Sequence, residues 1–254
     1  MPRGRVAPLR FLDDGPAAGP WNMGVDEALL ATAQRSGVAT LRLYTWQGPW
    51  LSLGYGQSVG EARVQACRRA DVGIVRRMTG GGAVLHGQDL TYALATPVER
   101  LPSGLSGAYD RVAAALVAAL RELGVAAERS APAPPTRGRG PFDCFAAPAA
   151  HEICIGGLKL AGSAQRRADG ALLQHGSLRL RPDPPAARVA SGLGPGATSL
   201  AEVACTAPEL ALREALARAF GDLLGAPVVP GSLDREECES AEMGVCNYGA
   251  KGHR

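Results

Sequence analysis

The chain has 254 residues, enough for one large domain or two small ones, and its 27 basic and 24 acidic side chains give a net charge of +3. A charge this small does not indicate a nucleic-acid partner or an anionic membrane surface. No apolar run approaches the roughly 20 residues of a membrane span, and the first ten residues lack the apolar core of a signal peptide, so we expect a cytoplasmic protein with reduced cysteines.

The first half of the chain alternates between helical and strand patterns. Asn22 is a plausible N-cap for a helix that ends near Arg35, since Gly37 follows as a C-terminal signal. The predicted elements are helices over 22–35 and 61–70 and strands over 40–46, 50–57, 72–75, 83–85 and 91–95.

The second half begins with an alanine-rich helix and continues mainly as strands joined by hairpin signals. Its predicted elements are helices over 109–123 and 209–224, strands over 151–155, 158–167 and 171–180, irregular segments over 130–143 and 182–195, and a capped helical turn over 198–202. Without a regular βαβ rhythm, these elements predict an α+β fold with a mixed, mostly antiparallel β-sheet backed by helices in a single domain over 1–254.

A glycine-rich turn connects two of the predicted strands. Gly80, Gly81 and Gly82 follow Arg76 and precede His86. Three glycines in a row allow backbone N–H groups to approach a ligand with no Cβ in the way. A polar ligand along this turn would meet amides, a guanidinium and an imidazole, although a plain hairpin turn with solvated arginines has the same sequence.

Cys144 and Lys159 are candidates for nucleophilic chemistry. Cys144 lies where the proline- and glycine-rich segment meets a predicted strand, and a thiolate is a strong nucleophile toward acyl groups when a cation stabilises it. Lys159 and Lys251 are the only lysines in the chain, and Lys159 lies across one predicted hairpin from Cys144. The alternatives are a buried core cysteine and a lysine on a strand edge. The cysteine spacings fit no common zinc pattern, so we expect no metal site.

Two further glycine-marked stretches lie on the strands that follow. Gly162 and Ser163 form one, and His175 and Gly176 form the other. A glycine within a strand often marks close backbone approach, so together these stretches predict a slot for an acyl chain and its carbonyl. Both His86 and His175 are also compatible with a structural role in a hydrogen-bonded core.

These motifs together resemble one protein family. RRMTGGGAVLH at 76–86 resembles the glycine-rich motif of the lipoate–protein ligase, octanoyltransferase and biotin–protein ligase superfamily, and GLKLAGSAQRR at 157–167 with LLQHGSL at 172–178 resembles the lysine-bearing motif of its lipoate and octanoate branches. The resemblance covers about 21–224, leaves a tail over 225–254, and implies a biotin/lipoate protein ligase-like fold. Supporting matches are NMGVDEALL at 22–30, LRLYTWQGPWLSLGYGQ at 41–57 and TSLAEV at 198–203.

Within this family the chemistry divides. Ligases adenylate lipoate with Mg-ATP and need the lysine but no cysteine, whereas octanoyltransferases carry octanoate on a cysteine thioester without ATP. Cys144-Phe145, Pro148 and Glu152 ahead of the lysine motif resemble the octanoyltransferase type in which the cysteine precedes the lysine. The unbroken Gly80–Gly82 resembles the ligases, because some octanoyltransferases have arginine at the third glycine. The ligase therefore stays open, as do a cysteine-dependent amidotransferase between lipoyl domains and a non-catalytic protein that binds an acyl chain or a lipoyl domain.

The resemblance to the octanoyltransferase type implies specific substrates and roles. Octanoyl would pass from octanoyl-acyl carrier protein, through a thioester on Cys144 assisted by Lys159, to a lysine of a lipoyl domain. That domain would belong to the glycine cleavage H protein or to the E2 subunit of a 2-oxoacid dehydrogenase, and no cofactor or metal is expected. The predicted substrate-binding residues are Arg76, Gly80, Gly81, Gly82, Ala83, His86, Gly162, Ser163, Gln165, His175 and Gly176.

Overall fold

The computed structural model describes residues 6–130, 142–146, 151–194 and 197–251, which form two sheets and six helices. The helices are α1 (Gly19–Ser36), α2 (Glu61–Arg69), α3 (Leu105–Glu122), α4 (Pro185–Ser191), α5 (Glu209–Leu224) and α6 (Arg235–Lys251), with one 3₁₀ turn (Val98–Arg100). The strands are β1 (Leu9–Ala17), β2 (Ala39–Trp46), β3 (Trp50–Leu53), β4 (Gly73–Arg76), β5 (Val84–His86), β6 (Asp89–Pro97), β7 (Glu128–Arg129), β8 (Ile153–Ile155), β9 (Leu158–Ala168), β10 (Ala171–Arg179) and β11 (Val228–Pro230).

The larger sheet has eight strands in the order β11-β1-β2-β6-β10-β9-β8-β7. Only the pairs of β1 with β11 and with β2 are parallel, and the remaining neighbours are antiparallel. The smaller sheet has the order β4-β3-β5, with β3 parallel to β4 and antiparallel to β5. The predicted mixed, mostly antiparallel sheet backed by helices is therefore confirmed.

Helices cover both faces of the larger sheet. Strand residues alternate between the faces, so Leu94 of β6 packs with Leu116 of α3 and Phe220 of α5, all buried. Leu173 of β10 belongs to the opposite face and packs with Leu29 of α1. The smaller sheet, with α2 and α4, forms a separate apolar cluster beside this second face. The space between the two sheets is where the candidate site lies.

The structure corrects the predicted start of the first helix. The helix begins at Gly19, and its N-cap is Ala18 rather than Asn22. Asn22 is instead fully buried inside the first turns, where its side-chain amide donates to the carbonyls of Ala17 and Thr45, at 3.2 Å each. A polar residue followed by an apolar periodic stretch predicts a cap, but here tertiary hydrogen bonds satisfy the amide inside the helix.

The segment after residue 224 is integrated into the fold. β11 extends the larger sheet by pairing with β1, and α6 packs against α1. The approach of these helices is close, because a Cβ added at Gly24 would lie 2.5 Å from the carbonyl oxygen of Ala241. One predicted core residue of α5 is wrong, since Leu210 is 63% exposed. It lies one turn too early on the helix to reach the sheet.

Two parts of the sequence prediction fall outside the described residues, namely positions 131–141 of the proline- and glycine-rich segment and Pro148. The five cysteines whose side chains are described are all free thiols. No helix in the described ranges combines the length and apolar character needed to cross a bilayer.

Candidate active site

A cavity of about 400 Å³ lies between the two sheets, and Cys144 lines it. This volume is within the range of small-molecule sites, and most of the surface of its wall is apolar. The wall contains six of the predicted substrate-binding residues: Gly81, His86, Gly162, Ser163, His175 and Gly176. The other five, Arg76, Gly80, Gly82, Ala83 and Gln165, lie outside the wall.

The structure brings Cys144 and Lys159 together. The fully buried ammonium of Lys159 lies 3.5 Å from the sulfur of Cys144 and donates to the carbonyl oxygen of the same residue at 2.5 Å. It also forms an ion pair with the carboxylate of Glu152, which is itself buried. An ammonium has three N–H donors, so these three partners account for all of them. The sulfur therefore faces a cation held in one orientation.

Backbone hydrogen bonds to the glycine-rich turn hold the cysteine segment in place. The N–H of Ala83 donates to the carbonyl of Phe142 at 2.5 Å, and the N–H of Cys144 donates to the carbonyl of Ala83 at 2.9 Å. The approach requires glycine at the third position of the turn, because a Cβ added at Gly82 would lie 2.6 Å from the backbone nitrogen of Cys144. In this chain the unbroken glycines are thus explained by the cysteine segment.

The carboxylate of Asp143 secures the same segment from the other side. One of its oxygens accepts from the N–H of Phe145 at 2.7 Å, and the other accepts from the N–H of Gly194 at 2.8 Å. The aromatic ring of Phe145 lies against the cation of Lys159, with the ammonium 4.8 Å from the ring centroid. Both ends of the nucleophile segment are therefore fixed by specific contacts.

Of the two consecutive arginines, the structure places the second in the cavity wall. Arg76, the residue chosen from the sequence, points away and donates to the carbonyls of Gly54, Tyr55 and Gln57. Arg77 is 5% exposed and lines the cavity. Strand alternation would have indicated this, because residue 77 lies on the same face as the fully buried Val75.

Arg77 holds the glycine-rich turn through its guanidinium. Nη1 donates to the carbonyl and the hydroxyl of Ser52, at 2.8 and 2.7 Å, while Nη2 donates to the carbonyls of Gly80 and Gly82, at 3.1 and 2.8 Å. Gly80 and Gly82 thus contribute to the site through carbonyls that face Arg77 rather than through the cavity wall.

His86 is part of a buried hydrogen-bond network. Its Nδ1 lies 2.8 Å from the carboxylate of Asp89, its Nε2 lies 2.7 Å from the hydroxyl of Ser52, and its ring stacks on Trp46 at 3.9 Å. Burial alone would raise the pKa of Asp89, but the interactions with His86 and the hydrogen bond from Ser177 hold that pKa below its usual value. The carboxylate is therefore ionised and fixes the imidazole in the wall.

His175 is fixed in a similar way on the opposite wall. Its Nδ1 lies 2.7 Å from the carboxylate of Asp26, and its Nε2 lies 2.7 Å from the hydroxyl of Thr79. Asp26 also accepts hydrogen bonds from Tyr44 at 3.1 Å and from Arg42 at 3.3 Å. Desolvation and the charge of Asp26 raise the pKa of Tyr44 well above its usual value, so the phenol stays neutral. Both ring nitrogens of each cavity histidine are thus engaged.

The sequence interpretation missed Asp26 and Asp89, although both orient the cavity histidines. Asp26 has a detectable signature, because it lies three and four positions before the apolar Leu29 and Leu30 and so belongs to the buried face of its helix. Asp89 begins a strand whose residues are all buried, and a carboxylate at such a position needs partners.

Close packing of two glycine-bearing strands forms the floor of the cavity. A Cβ added at Gly162 would lie 2.9 Å from Cε of Lys159 and 3.4 Å from the sulfur of Cys144. One added at Gly176 would lie 2.6 Å from the carbonyl oxygen of Gly162. The hydroxyl of Ser163 is 2.6 Å from that of Tyr92, whose pKa is raised to about 12 by burial. These glycines therefore let the strand backbones approach the dyad.

Gln165 lies beyond the cavity on the same strand. Its side-chain amide donates to the side-chain carbonyl of Gln174 at 2.9 Å, across the β9–β10 ladder. Its predicted role in substrate binding has no support from its position in this structure.

The sequence profile of the lipoyl protein ligase A/B catalytic domain matches residues 19–205. The chain belongs to this family. Two relatives in it are proteins named octanoyltransferase LipM. The protein from Symbiobacterium thermophilum is 38% identical over 261 residues, covering 94% of this chain and 95% of its own length. The protein from Kyrpidia tusciae is 38% identical over 262 residues with the same coverage. The family predicted from the motifs is confirmed.

Solved structures share the fold of this family member. A lipoate-protein ligase A bound with ATP superimposes with a TM-score of 0.76 at 20% identity and covers 96% of both chains. A bi-partite lipoate protein ligase from Thermoplasma acidophilum gives a TM-score of 0.75 at 20% identity, covering 97% of this chain and 94% of its own. At this identity the likeness establishes the architecture, and the side chains at the site must decide the chemistry.

Proposed function

We propose that this protein is an octanoyltransferase of protein lipoylation that moves octanoyl from octanoyl-acyl carrier protein to a lipoyl-domain lysine through a thioester on Cys144. The observation that carries the proposal is the thiol of Cys144 on the wall of a largely apolar cavity, 3.5 Å from the buried ammonium of Lys159. The relatives named octanoyltransferase, similar over nearly the whole chain, support the same reaction. The donor is already an activated thioester, so the reaction needs no ATP, metal or other cofactor.

In the first half-reaction the thiolate of Cys144 attacks the carbonyl carbon of the octanoyl thioester. A new carbon–sulfur bond forms, and the carbonyl π electrons move to oxygen. The oxyanion then collapses, the bond to the carrier sulfur breaks, and the carrier leaves as a thiolate that takes a proton from solvent. Lys159, held by Glu152, stabilises the attacking sulfur through its charge and its N–H.

In the second half-reaction a neutral lysine amine attacks the octanoyl-Cys144 thioester. The carbon–nitrogen bond forms, Cys144 leaves as a thiolate, and the nitrogen loses its extra proton to solvent. The product is an octanoylated lipoyl domain, from either the glycine cleavage H protein or the E2 subunit of a 2-oxoacid dehydrogenase. The apolar cavity holds the octanoyl chain through both steps, so water is excluded from the thioester.

Intact-mass analysis after mixing the protein with octanoyl-acyl carrier protein, without ATP, tests this proposal. We expect one octanoyl adduct that maps to Cys144 and disappears when a lipoyl domain is added. The Cys144→Ala variant should give no adduct, whereas Cys205→Ala, which changes a half-buried thiol outside the cavity wall, should give the normal adduct.

Other outcomes would assign a different reaction. No adduct, with lipoyl-domain modification appearing only with lipoate and Mg-ATP, would identify an ATP-dependent ligase. An adduct from octanoylated lipoyl domain but not from octanoyl-acyl carrier protein would identify an amidotransferase. Binding of lipoyl domain without any transfer would identify a non-catalytic binding protein.

A further inference from the structure

Two cationic side chains are buried beside Cys144, and they differ in how their charge is balanced. The ammonium of Lys159 is paired directly with the carboxylate of Glu152. The guanidinium of Arg77 donates only to neutral oxygens, namely three carbonyls and the hydroxyl of Ser52. Across the described parts of the chain, no carboxylate forms an ion pair with Arg77.

The carboxylate connected to Arg77 by hydrogen bonds lies two side chains away. Ser52 bridges the guanidinium to Nε2 of His86, and His86 in turn meets Asp89. The charge of Arg77 therefore stays largely uncompensated at the cavity wall. A buried cation without a neighbouring anion is unfavourable, and functional sites are where such arrangements concentrate.

The ionisable groups that face Arg77 are the thiol of Cys144 and the phenol of Tyr44. Tyr44 stays neutral because desolvation and the nearby Asp26 raise its pKa. Burial lowers the pKa of Arg77, but a guanidinium begins from a value above about 12 and remains protonated at neutral pH. The negative charge that Arg77 can stabilise in this cavity is therefore a thiolate at Cys144.

From this geometry we infer that Arg77 is an electrostatic positioning residue, whose uncompensated charge stabilises the Cys144 thiolate and the oxyanion formed at the octanoyl carbonyl. Lys159, neutralised by Glu152, then acts mainly as the N–H donor that orients the sulfur. The part that concerns the oxyanion rests on the proposed octanoyl transfer, whereas the part that concerns the thiolate does not.

The pH dependence of Cys144 alkylation by iodoacetamide, followed by peptide mass analysis, tests the inference without an acyl donor. Iodoacetamide is uncharged, so the cavity charge affects the sulfur and not the entry of the reagent. Removing the charge in Arg77→Met should move the alkylation midpoint upward by about one pH unit, the shift typical of losing a nearby opposite charge. Arg77→Lys keeps the charge and should leave the midpoint within a few tenths of a unit. Arg76→Met changes the neighbouring arginine outside the cavity and should match the unchanged protein.

Two outcomes would overturn the inference. If Arg77→Met keeps the normal midpoint, or if Arg77→Met and Arg77→Lys shift it equally, the guanidinium serves only to hold the glycine-rich turn. Other groups in the wall also titrate, since His86, His175 and Tyr109 surround the same cavity. Their contacts do not differ between the two Arg77 variants, so the comparison isolates the charge.

A second variant keeps the test decisive if Arg77→Met does not fold, which circular dichroism would reveal. Glu152→Gln leaves Arg77 in place and removes the anion that balances Lys159. The alkylation midpoint should then fall by about one pH unit, because a second uncompensated cation faces the sulfur. An unchanged midpoint would refute the premise that Glu152 neutralises Lys159. If octanoyl transfer fails while these shifts appear, the proposed reaction is wrong and the role of Arg77 at the thiol stands.

Discussion

Gly162→Ala should separate the geometry of the dyad from the stability of the fold. The added Cβ would lie 2.9 Å from Cε and 3.0 Å from Nζ of Lys159, whereas ordinary contacts begin near 3.4 Å. The end of the lysine must therefore move by about 0.5 Å, the difference between these distances. Its N–H to the sulfur of Cys144 is already long at 3.5 Å, so this movement removes the contact.

The expected magnitudes differ for activity and for stability. A hydrogen bond to a charged group is worth about 1.5–3 kcal/mol, so the rate of Cys144 acylation should fall roughly 10- to 100-fold. The atoms that must move are the flexible end of a side chain, so overpacking should destabilise the fold by only about 1 kcal/mol. For a chain of this size that lowers the melting temperature by about 2–4 °C.

Single-turnover acylation by octanoyl-acyl carrier protein, with thermal melting monitored by circular dichroism, measures both quantities. Gly15→Ala is the matched control, because a Cβ at that strand position meets nothing within 4 Å and should change neither quantity. Full activity in Gly162→Ala would show that the strand does not press on Lys159. A large loss of melting temperature in step with the lost rate would show that packing, and not the dyad, is affected.

Two further substitutions test the buried network of the wall. Asp26→Asn removes the anion shared by three buried side chains and should lower the free energy of unfolding in urea by about 3 kcal/mol. Glu236→Gln, which breaks an exposed ion pair, should change the same quantity by less than about 0.5 kcal/mol, and similar losses in both would contradict the assignment. Because the pKa of Asp89 is held low in the folded protein, its carboxylate contributes stability that is present above about pH 4 and is lost as the pH falls through the lower folded value. In Asp89→Asn the urea midpoint should therefore depend less on pH between about 3 and 6 than it does in the unchanged protein, and parallel curves would refute the account.

The short-range part of the site was predictable from the sequence. Cys144 and Lys159 flank one hairpin signal, so their contact follows from local geometry, and the glycines at 162 and 176 mark strands whose backbones approach closely. Most helices and strands appeared for the same reason, since apolar periodicity is a local property.

The long-range part was not predictable in this way. The bridge from Ala83 to Asp143 joins positions 60 residues apart, and no pattern in either segment announces it. The choice of Arg76 over Arg77 failed because the turn drew attention from strand parity, which places Arg77 with Val75. Asn22 failed for a related reason, since its amide is satisfied by strands that a local window does not contain.

The bridge between Ala83 and the cysteine segment also bears on how this protein can change over evolutionary time. Two backbone hydrogen bonds locate Cys144, so its position does not depend on the number of residues that separate β7 from β8. Insertions and deletions on either side of that short peptide can accumulate while the sulfur keeps its place, whereas a side chain at Gly82 would dislodge it at once. The nucleophile is a replaceable module on a permanent scaffold, and the scaffold would keep its acyl cavity even in a descendant that had lost the thiol.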